Sequence, residues 1–185
     1  MKALLAPLVF LSLCARLFAQ DLGSPTGRTP YDSYLGPMRS VLNALGNNKP
    51  SLDEVKQYVR TGRGFRYYMK DPYIPQTPAE TEATKSGDCK AKSLWVAYKM
   101  DDRTVRFVIG KARAVSNMSH AWLMWPGPGG WLILDPTNFS YPLDMDRVAR
   151  DEFIPIYSYT AGGKYAHTVA TAPRARAKGR YGDHL

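Results

Sequence analysis

The first half of the chain carries apolar residues at helical spacing. Ser51 and Glu54 form a capping-box pattern, which predicts a helix from there to about Arg60 with an apolar face. Residues 31–45 predict a second helix, interrupted near the Gly-Pro pair at 36–37. Residues 89–100 predict a third, in which one stripe is apolar: Ala91, Leu94, Trp95 and Tyr98. The segment 70–88 contains three prolines and is predicted to be a shaped loop.

The second half changes to the pattern of extended strands. Residues 104–109, 121–125 and 131–134 are mostly β-branched or aromatic, and 153–159 and 165–169 continue the pattern. Helices followed by strands predict an α+β domain, with N-terminal helices packed on an antiparallel β-sheet.

The beginning of the chain has the features of a secretory leader. Residues 1–19 combine a basic start, an apolar run and a small residue, Ala19, before the expected cleavage site. The run is short for a membrane span, which takes about 20 apolar residues. We therefore predict an exported protein, periplasmic or secreted, with no stable membrane span once the leader is removed; a retained anchor or a lipoprotein at Cys14 is the less favoured alternative.

The remaining chain divides into three predicted parts. Residues 20–48 form an N-terminal segment and helix, for which a prosegment role stays open; 49–170 form the main domain; 171–185 form a basic, disordered tail. Removing the leader takes Lys2 and Arg16 but no acidic residue, so the net charge falls from +9 to +7. This charge favours anionic partners such as cell-envelope material, or it simply aids solubility. Outside the tail, the sequence has no basic stripe interleaved with aromatic residues, so nucleic-acid binding is not predicted.

Composition excludes several classes of protein. The chain has 185 residues, 44% of them hydrophobic and 12% aromatic, which is enough for one compact domain and argues against wholesale disorder. Only two cysteines are present, so a disulfide scaffold is excluded. Removing the leader leaves Cys89 alone, and a lone thiol in an exported protein suggests an intermolecular bridge or a reactive group.

The position of Cys89 favours reactivity. It follows Ser-Gly-Asp at 86–88, a capping sequence, and so falls in the first turn of the predicted helix. Free backbone N–H groups and the helix dipole favour an anion there, which lowers thiol pKa values in general. Lys90 and Lys92 add positive potential, and Asp88 opposes it. The alternative is that Cys89 is a small buried apolar residue.

His120 and Asp135 occupy two strands joined by a short turn. A four-residue loop at 126–129 would place Trp125 opposite Gly130 and His120 directly opposite Asp135, on one face of the sheet. A carboxylate at that distance holds one imidazole nitrogen and favours the protonated ring. Asn117 and Asn138 are alternatives to Asp135 as the orienting residue. A metal site is disfavoured, because the remaining chain has no close ligand pair.

Three segments together resemble the transglutaminase-like superfamily. They are Ser-Gly-Asp-Cys-Lys-Ala-Lys-Ser-Leu at 86–94, Ser-His-Ala-Trp-Leu at 119–123 and Gly-Trp-Leu-Ile-Leu-Asp-Pro-Thr at 130–137. Their order and spacing match the family's successive motifs, and the resemblance covers roughly residues 50–160. It implies a papain-like α+β core and a catalytic triad carried over to Cys89, His120 and Asp135. Relatives also use an oxyanion donor upstream of the cysteine, for which Gln76 and Tyr73 are candidates.

The resemblance implies acyl transfer without a cofactor or metal. Thiolate Cys89 would attack an amide carbonyl of a peptide or protein substrate, and His120 would protonate the leaving amine. The small size of the chain and the lack of an evident calcium loop resemble the bacterial-type hydrolytic members. The expected function is therefore an exported cysteine hydrolase of peptide or amide bonds. Protein-glutamine amine transfer and a non-catalytic transglutaminase-like binding domain are the alternatives, and the oligomeric state is open.

Overall fold

In the computed structural model, residues 21–171 form helices packed against one face of an antiparallel sheet. The predicted leader at 1–19 and the tail beyond residue 171 lie outside the described residues. The helices are α1 (Gly36–Asn43), α2 (Leu52–Gly64), α3 (Pro78–Thr84), α4 (Cys89–Met100) and α5 (Thr168–Thr171), with a 3-10 turn at Met145–Arg147. The strands are β1 (Ser24–Pro25), β2 (Arg66–Tyr67), β3 (Ser86–Gly87), β4 (Arg106–Arg113), β5 (His120–Gly127), β6 (Gly130–Leu134), β7 (Leu143–Asp144), β8 (Glu152–Tyr159) and β9 (Lys164–Ala166).

The main sheet has seven strands in the order β1-β9-β8-β4-β5-β6-β7, and every neighbouring pair is antiparallel. The remaining two strands, β2 and β3, pair in parallel beside α4. The α+β class is confirmed. Within the described residues no helix is long and apolar enough to cross a membrane.

Side-chain alternation along the central strands gives the sheet two covered faces. One face carries Phe107, Ile109 and Leu123 and packs on the helices, with α4 at the centre of the core. The other face carries Trp122 and Ile133 and is covered mainly by loops from the second half of the chain. Because both faces of the sheet are buried, the β5-β6 hairpin is held firmly, and so is α4, which lies in the core. The ends of these elements can therefore hold a functional site in place.

Local signals explain most of the helix boundaries. The predicted capping box forms, since the Ser51 hydroxyl accepts from the Glu54 N–H and the Glu54 carboxylate accepts from the Ser51 N–H, and α2 continues to Gly64 rather than Arg60. The N-terminal helix begins at Gly36 instead of running through it, because Pro37 suits the first turn of a helix.

Three predictions about local structure are wrong. The supposed loop at 70–88 contains α3, where Thr77 and Glu80 form a second capping box and Pro78 starts the helix. Residues 165–169 form a strand only as far as Ala166, after which α5 begins. Tyr98, predicted to lie on the apolar stripe of α4, is exposed. It lies near the end of the helix, where positions 98 and 99 face solvent, whereas positions 91–97 are buried.

Candidate active site

Cys89 is the first residue of α4, as the capping sequence predicts. The extended pair β2-β3 delivers the chain to this point, and the Oδ1 atom of Asp88 caps the helix by accepting from the Ala91 N–H at 2.8 Å. The Gly87 backbone passes so close to α4 that a Cβ there would lie 2.8 Å from the Ala91 Cβ. The sulfur therefore sits at the positive end of a well-anchored helix.

His120 and Asp135 meet at the open end of the β5-β6 hairpin. His120 is the first residue of β5, Asp135 follows β6 directly, and His120 Nε2 lies 2.9 Å from Asp135 Oδ2. The Asp135 side chain is fully buried, and that of His120 is 12% exposed. The contact that the sequence predicts is therefore present.

The strand register behind this contact differs from the prediction. Trp125 pairs with Leu132 rather than Gly130, because the hairpin turn contains two residues, 128–129, instead of four. Gly130, at φ +133°, closes the turn in a conformation that favours glycine. A shift of two residues keeps each side chain on its face of the sheet, so His120 reaches Asp135 diagonally instead of directly across.

The turn after β6 aims the Asp135 carboxylate at the ring. Oδ1 accepts from the backbone N–H groups of Thr137 at 3.0 Å and Asn138 at 3.3 Å. Oδ2 accepts from the Asn138 side-chain amide at 2.8 Å as well as from His120. On its other side the imidazole stacks on Trp122, with ring centroids 6.0 Å apart. The ring orientation is thus fixed from two directions.

The electrostatics of the site favour a charged imidazole. Burial alone would lower the pKa of His120, but hydrogen bonds to Asp135 and to Cys89, and the negative charges of both, raise it well above its usual value. Because Nε2 is bound to Asp135, the nitrogen that faces Cys89 is Nδ1. The arrangement therefore places an imidazolium beside the sulfur of Cys89.

A pocket opens over the sulfur and the ring. Its walls are Tyr31, Tyr34, Leu35, Tyr73, Cys89, Lys90, Ile109, Ser119, His120 and Ala121. Tyr31, Tyr34 and Leu35 come from the segment that leads into α1, and no pattern in the sequence predicts that they line this pocket. The pocket is mainly apolar and aromatic, and Cys89 and His120 line it together with two other polar groups, Ser119 and Lys90.

The other candidates named from sequence are found at different places. Asn138 touches both Asp135 and His120, its amide nitrogen lying 3.3 Å from Nε2, so it supports the pair rather than replacing Asp135. Asn117 is exposed in the β4-β5 connection. Tyr73 lines the pocket, whereas the buried Gln76 donates to the Ser86 carbonyl at 3.3 Å, behind β3.

The fold is the papain-like, transglutaminase-like α+β fold that the sequence motifs predict. The protein is similar to solved structures of LapG from Legionella pneumophila. The calcium-bound LapG structure has 22% sequence identity and a TM-score of 0.53, over 72% of this chain and 76% of that one. A second LapG structure has 19% identity and a TM-score of 0.52, over 78% and 83%. No family model and no curated protein matches the sequence.

Proposed function

We propose that this protein is a transglutaminase-like cysteine hydrolase that cleaves peptide or amide bonds, with Cys89 as nucleophile, His120 as acid–base and Asp135 as the orienting carboxylate. The observation that carries the proposal is the 2.9 Å His120–Asp135 bond, made by a ring that also interacts with Cys89 and lines the same pocket. A histidine with only a structural role is not expected to have a carboxylate on one ring nitrogen and, on the other, a thiol at the start of a helix.

The reaction follows from the charges of the pair. Thiolate Cys89 adds to the carbonyl carbon, and the oxyanion is stabilised by the first N–H groups of α4, which a helix leaves without internal partners. The C–N bond breaks as imidazolium His120 gives its proton to the leaving amine. Water then attacks the thioester while His120 takes a proton from it, and the carboxylic acid leaves as the thiolate reforms.

Protein or peptide is the substrate class that the pocket favours. Its apolar and aromatic walls suit a side chain next to the scissile bond, and Cys89 is among the residues that line it. Export through the leader at 1–19 is part of the proposal, and cell-envelope proteins are then the natural candidates. One of the LapG structures is calcium-bound; within residues 21–171 of this protein, no three His, Cys, Asp or Glu side chains lie together as a candidate metal site.

A peptide library, incubated with and without a small primary amine such as methylamine, tests the proposal by mass spectrometry. We expect new free carboxyl termini that disappear with Cys89→Ala and persist with Lys99→Met, an exposed change at the far end of the same helix. Dominant formation of methylamides would indicate amine transfer instead. Absence of turnover, together with iodoacetamide reactivity equal to that of free cysteine, would leave a non-catalytic domain.

A further inference from the structure

A buried ion pair flanks the sulfur within the first turn of α4. Lys90 Nζ lies 2.8 Å from Asp88 Oδ2, and the two side chains are 13% and 5% exposed. The ammonium also sits over the Tyr73 ring, 4.7 Å from its centroid. Neither charge is in open solvent, so both act on their surroundings with little screening.

The two charges have opposite effects on the residue between them. Asp88 is required to cap α4 through its Oδ1, and its carboxylate disfavours a thiolate at Cys89. Lys90 favours that thiolate. Burial alone would lower the pKa of Lys90, but the negative charges of Cys89 and Asp88 raise it, so the amine stays protonated. The helix-capping carboxylate of Asp88 therefore destabilises a thiolate at Cys89, and the Lys90 ammonium is close enough to offset that effect.

We propose that Lys90 is a positioning residue whose ammonium neutralises the helix-capping Asp88 and so sets the pH range in which Cys89 is a thiolate. The inference rests on the proposed function, because it assigns Lys90 a part in activating that nucleophile. It adds a residue that stabilises the reactive form of Cys89 without reacting itself.

The other titratable groups around the sulfur do not compete for this part. Tyr67 from β2 and Tyr73 from the following loop face the same cluster, but burial and the nearby negative charges raise their pKa values, so both stay neutral across the working pH range. Tyr31 and Tyr34 line the pocket from the segment before α1, and His120 from β5 shares the pocket with Cys89 and interacts with it. These three groups are common to every variant compared below.

The test measures the pH dependence of Cys89 alkylation by iodoacetamide in the full chain. Lys90→Met leaves the Asp88 charge uncompensated, so the midpoint pH should rise by about one unit. Asp88→Asn keeps an oxygen that can cap the helix but removes the negative charge, so the midpoint should fall by a similar amount. The double variant should return close to the original value.

Matched controls separate electrostatics from packing. Lys90→Arg keeps the positive charge and should restore a near-original midpoint, and Lys99→Met removes one from the exposed last turn of α4 and should leave it unchanged. Unchanged midpoints, or shifts of the same sign in Lys90→Met and Asp88→Asn, would overturn the inference. If Lys90→Met does not fold, the double variant compared with Asp88→Asn decides the matter, and equal midpoints in these two proteins would overturn the role of Lys90.

Alkylation needs no substrate, so the two proposals can fail separately. Opposite shifts in a protein that cleaves no peptide would refute the hydrolase while the charge balance around Cys89 stands. Peptide cleavage with unshifted midpoints would refute the role of Lys90 and leave the hydrolase intact.

Discussion

Replacing Asp135 by asparagine would change the proton held by His120 while preserving the shape of the turn. In Asp135→Asn, the remaining side-chain oxygen can still accept from the N–H groups of Thr137 and Asn138, which now bond to Oδ1. The new amide group takes the place of Oδ2 and donates to His120 Nε2, while the Asn138 side chain, which donates to Oδ2 in the original protein, must turn its amide oxygen towards the new group. The neutral ring then carries its proton on Nδ1, facing Cys89, where it cannot accept the thiol proton.

The expected loss of activity follows from the charged hydrogen bond between Asp135 and His120, which the variant lacks. A hydrogen bond between charged partners contributes about 1.5–3 kcal/mol, which corresponds to roughly a 10- to 150-fold fall in kcat/KM if it stabilises the reactive imidazolium. Because Asp135 raises the pKa of His120, the alkaline limb of the pH profile should also move to lower pH. Cys89 alkylation measured against pH reports the same change without a substrate.

Asp102→Asn is the matched control. Asp102 is also buried and accepts from Trp125 Nε1 at 2.8 Å, but it follows the far end of α4, about 18 Å away by helix length. It should lower thermal stability, because one amide oxygen cannot accept from both Trp125 and Thr104, and it should leave the pH profile in place. Activity of Asp135→Asn within threefold of the original, with an unshifted alkaline limb, would refute the orienting role of Asp135.

Two further predictions concern the fold. In Gly110→Ala, at the β4-β8 bulge, the new Cβ would lie 2.1 Å from the Ile154 carbonyl oxygen, so denaturant unfolding should show a loss of about 3 kcal/mol or more, and a loss below 1 kcal/mol would contradict the geometry. Neutral His167 donates to the Asp21 carbonyl and accepts from Ser158, and burial lowers its pKa despite Asp21; stability should therefore fall as pH drops below about 6.5, with a smaller slope in His167→Asn, and equal slopes would contradict it.

The sequence predicted the elements that carry the chemistry better than those around them. The capping box of α2, the Asp88 cap of α4 and the apolar residues of both helices are local features, and a helix start needs no distant partner to define it. The second box, at Thr77 and Glu80, is an equally local signal in the sequence, and Pro78 occupies a helix-starting position, although the three prolines of the segment favour a loop.

The hairpin shows why a contact can be right when its register is wrong. Strand side chains alternate with a period of two, so the choice between a two- and a four-residue turn moved the partner of His120 without changing its face. Two local contacts, the Asn138 amide on Asp135 and the Lys90–Asp88 pair, join residues two or three positions apart, and their geometry depends on the turn or helix start that carries them. The pocket wall at 31–35 instead comes from a segment distant in sequence, and spacing along the chain does not encode its place.

The wall at Tyr31, Tyr34 and Leu35 lies more than fifty residues before Cys89 in the chain and belongs to neither α4 nor the hairpin. Tyr31 and Leu35 are buried in the core, whereas Tyr34 is partly exposed, so Tyr34 is the wall position that tolerates substitution most readily. In the proposed hydrolase, changes at Tyr34 would alter which side chains the pocket accepts while the sulfur, ring and carboxylate keep their supports.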